Sequence, residues 1–233
     1  MSIRTVLWDL DCTVWLYNEN EPIVLSQKLK IGDQKTFKDE YYKMWGNLLD
    51  YFEEKVVTCE GMSHFIEEQM PILSAYSVKP ERFLETIKQE KQNIVRLNEE
   101  AKEVLDYARE NKIQNLAVTD WFEECQKITL KGIGGLDYFE RIYACDNGYF
   151  KNSKGKITEL ERELTGKEKS EIILIGDSLI SDIRFAERLG VRSIWYNPNG
   201  KENTTPYNPT YEVDSLTKVK EILWKRNKNF YIV

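Results

Sequence analysis

The chain has 233 residues, of which 41% are hydrophobic, and this apolar content is enough to fill a folded core and to exclude a disordered chain. The formal net charge of −6 argues against nucleic acid or an anionic membrane surface as the main partner, and no apolar run approaches the roughly 20 residues of a membrane helix. Four scattered cysteines, with no Cys-x-x-Cys pair and no secretory leader, predict reduced thiols and a cytoplasmic location.

The first predicted element is a buried strand over residues 4–8, followed directly by Asp9-Leu10-Asp11-Cys12-Thr13. Side chains of an extended segment alternate between faces, so Asp9 and Asp11 are predicted to point the same way beyond the end of the strand. Two carboxylates this close repel by several kcal/mol at an effective dielectric constant of about 20. The pair therefore requires a cation or a shared proton, unless it is an ordinary polar strand end.

A helical insertion is predicted next. The apolar residues 14–17 stop at a turn cluster over 18–22, which indicates a short hairpin beside the first strand. Apolar residues then recur at three- and four-residue steps over 37–52, 63–76 and 80–93, as helices with one buried face require. Pro71 is expected to break or kink the second of these helices. We therefore predict a helical cap domain over 17–96 and a core domain formed by 1–16 and 97–233.

From Asn98 onward, helices and strands alternate. The predicted helices cover 99–111, 121–131, 158–164, 182–189 and 216–226. The predicted strands cover 114–118, 141–145, 171–175, 192–196 and 211–213. Repeated strand–helix–strand units indicate an α/β fold with a Rossmann-like parallel sheet, flanked by helices and connected by right-handed crossovers. Ligands of such sheets bind beyond the carboxyl ends of the strands, where Asp9, Thr119 and Asp177 are predicted to lie.

Two of these strand ends carry further polar residues. Thr119-Asp120 ends one strand ahead of a predicted helix, whose N-terminus is suited to bind an anion. Gly176-Asp177 ends another strand, and Asp182 follows five residues later. Carboxylates from two strand ends could together bind magnesium, which prefers oxygen ligands. Capping of the two helices by Thr119, Asp120 or Asp182 is the alternative interpretation.

The single histidine, His64, excludes a histidine-rich zinc site, and Ser-His-Asp or Cys-His catalysis would require His64 itself. Its position in a polar helical stretch indicates a structural role. Any chemistry is therefore expected to use carboxylates, hydroxyls, lysines and a metal ion.

The Asp9-x-Asp11-x-Thr13 segment resembles the nucleophile motif of the haloacid dehalogenase-like hydrolases, whose usual form is Asp-x-Asp-Gly-Thr; Cys12 occupies the place of the glycine. Gly176-Asp177 with Asp182 is similar to the acidic motif of that family, and Thr119 matches its phosphate-binding Ser or Thr. The order of these motifs resembles the phosphatase branch with a helical cap inserted after the first motif, a branch that includes nucleotidases.

The resemblance implies a magnesium-dependent phosphatase in which Asp9 attacks phosphorus and becomes an aspartyl-phosphate. Asp11, kept protonated by its anionic neighbours, would protonate the leaving oxygen and later activate water; the dehalogenases of the family lack this acid. Magnesium would be bound by Asp9, Asp177 and the main-chain carbonyl of Asp11. Thr13 and Asp182 would support the site.

The same resemblance implies that the substrate phosphate is bound by Thr119, the amide of Asp120 and a lysine just ahead of a helix. Three lysines, Lys151, Lys154 and Lys156, lie in the corresponding loop, and no proline follows them to mark the family position. Spacing to the predicted helix at 158 favours Lys154, and then Lys156.

The expected partner is a small-molecule phosphate ester, with a nucleoside monophosphate first and sugar phosphates and phosphoglycolate close behind. A phosphosugar mutase and a noncatalytic module that binds a phosphorylated ligand or a protein are the alternatives. Five aromatic residues in or near the insertion could stack on a nucleobase, or could form the core of the bundle. They are Trp15, Tyr17, Tyr41, Tyr42 and Trp45.

Overall fold

The computed structural model describes residues 2–146 and 148–227, and its core is a six-stranded parallel sheet with the strand order β5-β4-β1-β6-β7-β8. The strands of this sheet are Thr5–Trp8 (β1), Gln114–Val118 (β4), Arg141–Tyr143 (β5), Ile172–Gly176 (β6), Arg192–Tyr196 (β7) and Tyr211–Val213 (β8). A separate two-stranded ribbon consists of Trp15–Tyr17 (β2) and Val95–Leu97 (β3). The predicted α/β class is confirmed.

Helices cover both faces of the sheet and form the insertion. The insertion contains Glu21–Lys28 (α1), Gln34–Tyr51 (α2), Cys59–Gln69 (α3), Pro71–Ala75 (α4) and Pro80–Ile94 (α5). The remaining α-helices are Glu99–Glu110 (α6), Glu123–Gly132 (α7), Lys154–Glu163 (α8), Arg184–Leu189 (α9) and Thr217–Asn227 (α10). Short 3₁₀ turns cover Leu136–Tyr138 and Lys169–Glu171, and a π-helical turn covers Leu179–Ile183.

Strand β1 is the centre of the sheet, because Leu7 pairs with Leu116 of β4 on one side and with Leu174 of β6 on the other. Its side chains alternate between two cores. Val6 and Trp8 belong to the core that includes α6 and α10, whereas Leu7 belongs to the core under α8 and α9. Burial on both faces explains why β1 has no polar side chain pointing to water, and why Asp9 comes only where the strand ends.

The ribbon of β2 and β3 connects the helical insertion to the sheet. The two strands are antiparallel, with Trp15 opposite Leu97 and Tyr17 opposite Val95. The prediction of a short local hairpin near residues 14–17 was therefore wrong. Strand β2 pairs instead with β3, which follows the five cap helices. The chain thus leaves the core and returns to it at adjacent positions.

The insertion has its own apolar core, which extends onto the parallel-sheet domain. Phe37, Met44 and Leu48 of α2 are buried at the spacing predicted from the sequence. The same apolar cluster includes Trp121 and Phe150, which come from loops of the parallel-sheet domain. The cap therefore packs directly against the carboxyl end of the sheet.

Several helix boundaries differ from the predicted ones, for local reasons. Pro71 ends the predicted 63–76 helix, as expected, and starts the separate helix α4. Helix α8 begins at Lys154 rather than at residue 158, because the Ser153 side chain accepts a hydrogen bond from the Lys156 amide and caps the helix. The predicted 182–189 helix begins earlier, with the π-helical turn.

Cys12 has a φ of +58°, in the left-handed region that favours glycine. The surrounding turn is closed by hydrogen bonds from the amides of Thr13 and Val14 to the carbonyl of Leu10, at 3.3 and 2.9 Å. Cys12 therefore adopts the left-handed backbone conformation that this turn requires, at the position where the family motif has glycine.

Among the residues that the structure describes, no helix combines the length and the apolar character needed to cross a membrane.

Gly176 and Gly46 offer a matched test of close packing at the end of β6. A Cβ atom on Gly176 would lie 2.3 Å from the Asp182 carboxyl carbon, whereas one on Gly46, in the exposed face of α2, would meet nothing within 4 Å. We expect Gly176→Ala to lower the free energy of unfolding by about 1–3 kcal/mol. Gly46→Ala should raise it by about 0.5–1 kcal/mol, because alanine favours helix. Urea unfolding measures both, and an unchanged stability of Gly176→Ala would contradict the packing described here.

Candidate active site

The predicted site residues converge at the carboxyl ends of three neighbouring strands. Asp9 follows β1, Thr119 follows β4, and Asp177 follows β6. All three line a cavity of about 600 Å³, which is closed on its other side by cap residues such as Tyr41 and Trp45. The acidic floor of the cavity thus comes from the strand ends, and most of its aromatic lining comes from the cap.

A buried lysine, Lys151, lies among the carboxylates of the cavity floor. Its Nζ atom is 2.6 Å from Asp9 Oδ1, 2.6 Å from Asp182 Oδ1 and 4.0 Å from Asp120 Oδ2. Burial favours the neutral amine, but the attraction of Asp182 and Asp9 outweighs it and raises the pKa of Lys151. Lys151 is therefore a permanent cation next to Asp9.

The carboxylates of this floor carry more negative charge than Lys151 neutralises. Burial, and then repulsion from Asp182, raises the pKa of Asp9 well above its usual range, although Lys151 opposes the shift. Burial and Asp182 likewise raise the pKa of Asp177 to about 7. A further cation at this position would relieve the repulsion.

Asp9, Asp177 and Asp182 each offer a carboxylate oxygen, and these oxygens lie within 4.8 Å of one another. A set of oxygen ligands with excess negative charge fits a hard divalent cation such as magnesium. Asp9, Asp177 and the main-chain carbonyl of Asp11 were predicted as metal ligands, and the first two belong to this cluster. Asp182, predicted only as a supporting residue, belongs to the same acidic cluster.

Asp182 is also fixed by the main chain. Its Oδ2 accepts a hydrogen bond from the Ser178 amide at 3.0 Å. The cap of the π-helical turn is instead the Ser178 hydroxyl, which accepts from the Ser181 amide at 3.1 Å. Ser178, not Asp182, is therefore the N-cap, while Asp182 supports the same helix start by accepting the Ser178 amide.

The Asp11 carboxylate contacts cap and ribbon residues. Its Oδ1 lies 2.6 Å from Lys91 Nζ and accepts hydrogen bonds from the Tyr17 hydroxyl at 2.8 Å and the Trp15 indole at 3.3 Å. Burial by itself would raise the pKa of Asp11, but the attraction of Lys91 and these hydrogen bonds outweigh it and lower the pKa. The prediction that anionic neighbours keep Asp11 protonated is wrong, because its closest charged neighbour is a cation.

Lys91 and Glu21 are charged cap residues that the sequence reasoning missed. The Lys91 side chain is only 3% exposed and lies over the rings of Trp15 and Tyr17. Glu21 is also buried, and its Oε2 accepts a hydrogen bond from the Tyr41 hydroxyl at 2.5 Å. Burial raises the pKa of Glu21, and Lys91 partly opposes this shift. For Lys91 the available signal was its place one helical turn after Ile87, on the buried face of α5.

Thr119 lies in the predicted position, and its hydroxyl has a defined partner. Its Oγ1 accepts a hydrogen bond from Gln126 Nε2 at 2.6 Å, and the same nitrogen lies 3.3 Å from Asp11 Oδ2. Because Thr119 Oγ1 accepts this bond, its own proton remains available to a ligand in the cavity. Gln126, which the sequence reasoning missed, thus connects the predicted phosphate-binding hydroxyl with the predicted acid.

The helix N-terminus predicted beside Asp120 lies two residues further along the chain, and its first amide already has a carboxylate partner. Helix α7 begins at Glu123 rather than at residue 121, and the Glu123 amide donates to Asp146 Oδ2 at 2.5 Å. Neither Thr119 nor Asp120 is its cap. The Asp120 carboxylate instead accepts hydrogen bonds from the Lys151 amide at 2.6 Å and the Ser181 hydroxyl at 2.8 Å, and so orients the lysine loop.

The lysine of the site is Lys151, which corrects the predicted position at Lys154. Lys154 is exposed at the start of α8, where its amide donates to Glu54 Oε2. Lys156 is buried, but its Nζ binds the Ala144 carbonyl at 2.5 Å and Glu159 at 2.7 Å. Because α8 starts four residues earlier than predicted, the position just ahead of the helix moves back from Lys154 to Lys151.

Thr13, predicted as a supporting residue, is fully buried below the site. Its carbonyl accepts a hydrogen bond from the Asn98 side chain at 3.0 Å, which connects the first loop to the start of α6. Its hydroxyl has no hydrogen-bond partner among the described residues. The predicted structural role of His64 agrees with its exposed position on α3, 3.3 Å from Glu68.

Comparison with known proteins agrees with this geometry. The chain is 27% identical to the pyrimidine 5'-nucleotidase PynA of Streptococcus pneumoniae over 97% of both chains. Among solved structures, magnesium-bound YfnB of Bacillus subtilis has a TM-score of 0.69 at 19% identity, with 96% of this chain and 99% of that chain covered. The L-2-haloacid dehalogenase RSc1362 has a TM-score of 0.73 at 14% identity, covering 96% of this chain and 100% of that one.

These two structural likenesses lie below 25% identity and support the fold alone. The model of the haloacid dehalogenase-like hydrolases matches residues 6–196, a span that includes the first acidic motif, the cap, Thr119, Lys151 and the second acidic motif. The chain therefore belongs to the haloacid dehalogenase-like hydrolase family.

Proposed function

We propose that this hydrolase is a magnesium-dependent phosphatase of a nucleoside 5'-monophosphate, with a pyrimidine nucleotide as the first candidate. The observation that carries the proposal is the convergence of Asp9, Lys151 and Asp177 on the floor of one cavity, beside the Thr119 hydroxyl. The pyrimidine candidate rests on the similarity to a pyrimidine 5'-nucleotidase along nearly the whole chain. An acid at Asp11 favours phosphate chemistry over dehalogenation.

Asp9 is the proposed nucleophile. Its carboxylate attacks phosphorus in line, the bond to the leaving oxygen breaks, and an aspartyl-phosphate forms. The Lys151 ammonium and the Thr119 hydroxyl bind the phosphoryl oxygens and stabilise the charge that spreads over them. Asp9, Asp177 and the main-chain carbonyl of Asp11 would hold a magnesium ion, which would supply positive charge against the repulsion between Asp9 and the phosphate.

Asp11 is the proposed acid and base. Its lowered pKa keeps the carboxylate ionised, so it is ready to take a proton from the water that cleaves the aspartyl-phosphate. In the first step, the approach of the phosphate dianion favours the protonated form of Asp11, which then protonates the leaving oxygen. Lys91, Tyr17 and Gln126 hold the Asp11 carboxylate in place for both steps.

Replacing the nucleophile tests the proposal directly. We expect Asp9→Asn to lower phosphate release by at least ~10³-fold, because an amide cannot form the acyl phosphate. Asp39→Asn, the same change at an exposed position of the cap, should leave the rate unchanged. The measurement is inorganic phosphate released from a panel of nucleotides, sugar phosphates and phosphoglycolate. Full turnover by Asp9→Asn would contradict the assignment, and an isomerised sugar phosphate without phosphate release would indicate a mutase.

Removing divalent cations tests the acidic cluster. Chelation should abolish phosphate release and added magnesium should restore it, because Asp9, Asp177 and Asp182 together carry more negative charge than Lys151 neutralises. Asp177→Asn should raise the magnesium concentration that gives half-maximal activity, since one ligand oxygen loses its charge. The proposal of a metal-dependent enzyme fails if the chelated protein works at the rate of the untreated one.

Lys151 and Lys154 form a matched pair for the phosphate-binding role. We expect Lys151→Met to lower kcat/KM by about 10²–10³-fold, the usual loss for one donor to a transition-state oxyanion. Lys154→Met removes the same charge from an exposed position and should have no effect. Circular dichroism checks that both variants fold. Equal activity of the two variants would contradict the assignment of Lys151 as the lysine that binds the phosphate.

A further inference from the structure

Glu21 is a buried carboxylate in the cavity to which the proposed phosphatase chemistry gives no role. It is the first residue of α1 in the cap, is 8% exposed, and lines the same cavity as Asp9. Its Oε2 accepts the hydrogen bond from Tyr41. Its Oε1 is buried and has no hydrogen-bond partner among the residues that the structure describes.

Neighbouring groups do not satisfy this oxygen. The Tyr17 hydroxyl lies near Glu21, but its single proton is donated to Asp11 at 2.8 Å. Lys91 attracts Glu21 electrostatically, while its ammonium is in contact with Asp11 at 2.6 Å. A buried carboxylate oxygen without a donor is unfavourable, so a ligand that brings an N–H or O–H to it gains a charge-assisted hydrogen bond.

The walls around Glu21 are aromatic. Tyr41, Tyr42 and Trp45 line the cavity on the cap side, and Trp121 lines it on the core side. The Trp45 and Trp121 rings are 4.8 Å apart and inclined by 51°. An aromatic lining that also presents one unpaired acceptor suits a planar heterocycle that carries a donor on its edge.

We propose that Glu21 is a specificity-determining residue, whose Oε1 accepts a hydrogen bond from an N–H group of the substrate's base. This inference rests on the proposed function and names the part of the substrate that the cap recognises. Uracil and thymine offer the ring N3–H, and cytosine offers its exocyclic amine. A substrate whose organic part brings a carboxylate to Glu21 would be disfavoured by repulsion.

The experiment pairs a change in the enzyme with a change in the substrate. Glu21→Leu removes the acceptor, and N3-methyluridine 5'-monophosphate removes the donor of uridine 5'-monophosphate. We expect Glu21→Leu to lower kcat/KM for uridine 5'-monophosphate by about 10- to 100-fold. The same variant should leave kcat/KM unchanged for the N3-methyl analogue and for p-nitrophenyl phosphate, which has no base.

Two further variants separate charge from hydrogen bonding. Glu21→Gln keeps the shape and one acceptor oxygen, and should recover part of the activity that Glu21→Leu loses. Glu67→Gln makes the same charge change on the exposed face of α3 and should behave as the unmodified protein. Activity on p-nitrophenyl phosphate also shows that each variant is folded.

The outcomes distinguish this inference from the proposed function. An equal loss on uridine 5'-monophosphate and on its N3-methyl analogue, or a loss on p-nitrophenyl phosphate, shows a structural role and overturns the inference. If the unmodified protein hydrolyses p-nitrophenyl phosphate but not uridine 5'-monophosphate, the inference fails and the phosphatase remains. If no phosphate ester is hydrolysed, the proposed function itself fails, and the inference fails with it.

Discussion

Lys151 places one buried ammonium next to Asp9 and Asp182, with Asp120 at the edge of contact. These carboxylates come from three separate segments, which meet only because β1, β4 and β6 are adjacent and parallel. A buried charge of either sign is unfavourable by itself, so each of these groups depends on the others. Gly176 belongs to the same arrangement, because only a residue without a side chain lets Asp182 approach the end of β6 so closely.

The cap contributes charged side chains as well as aromatic ones to the cavity. Lys91 enters the site from α5 and pairs with Asp11, so the state of the proposed acid depends on a residue outside the parallel-sheet domain. Glu21 and Tyr41 add a buried hydrogen bond from the cap to the lining of the same cavity. In the proposed reaction, Lys151 and the acidic cluster bind the phosphoryl group, and the cap residues contact the organic part of the substrate.

The sequence was sufficient for those features that local rules determine. Alternation and strand ends predicted where Asp9, Thr119 and Asp177 lie, because a parallel sheet brings the ends of its strands to one edge. Lys154 was favoured over Lys151 because the start of α8 depends on one capping hydroxyl, and a shift of four residues changes which lysine precedes the helix. Lys91 and Glu21 were missed because a charged residue becomes buried only when a partner from elsewhere in the chain compensates it.

The cap is joined to the core through the two strands β2 and β3, and this arrangement allows the cap to change independently of the sheet. Because β2 and β3 lie side by side, the chain that forms the cap begins and ends at adjacent positions of the core. Helices can be lengthened, lost or exchanged within that excursion without altering the register of the six central strands. Changes in the cap can thereby alter the substrate side of the cavity while the acidic cluster stays in place, provided that Asp11 keeps a cationic partner such as Lys91.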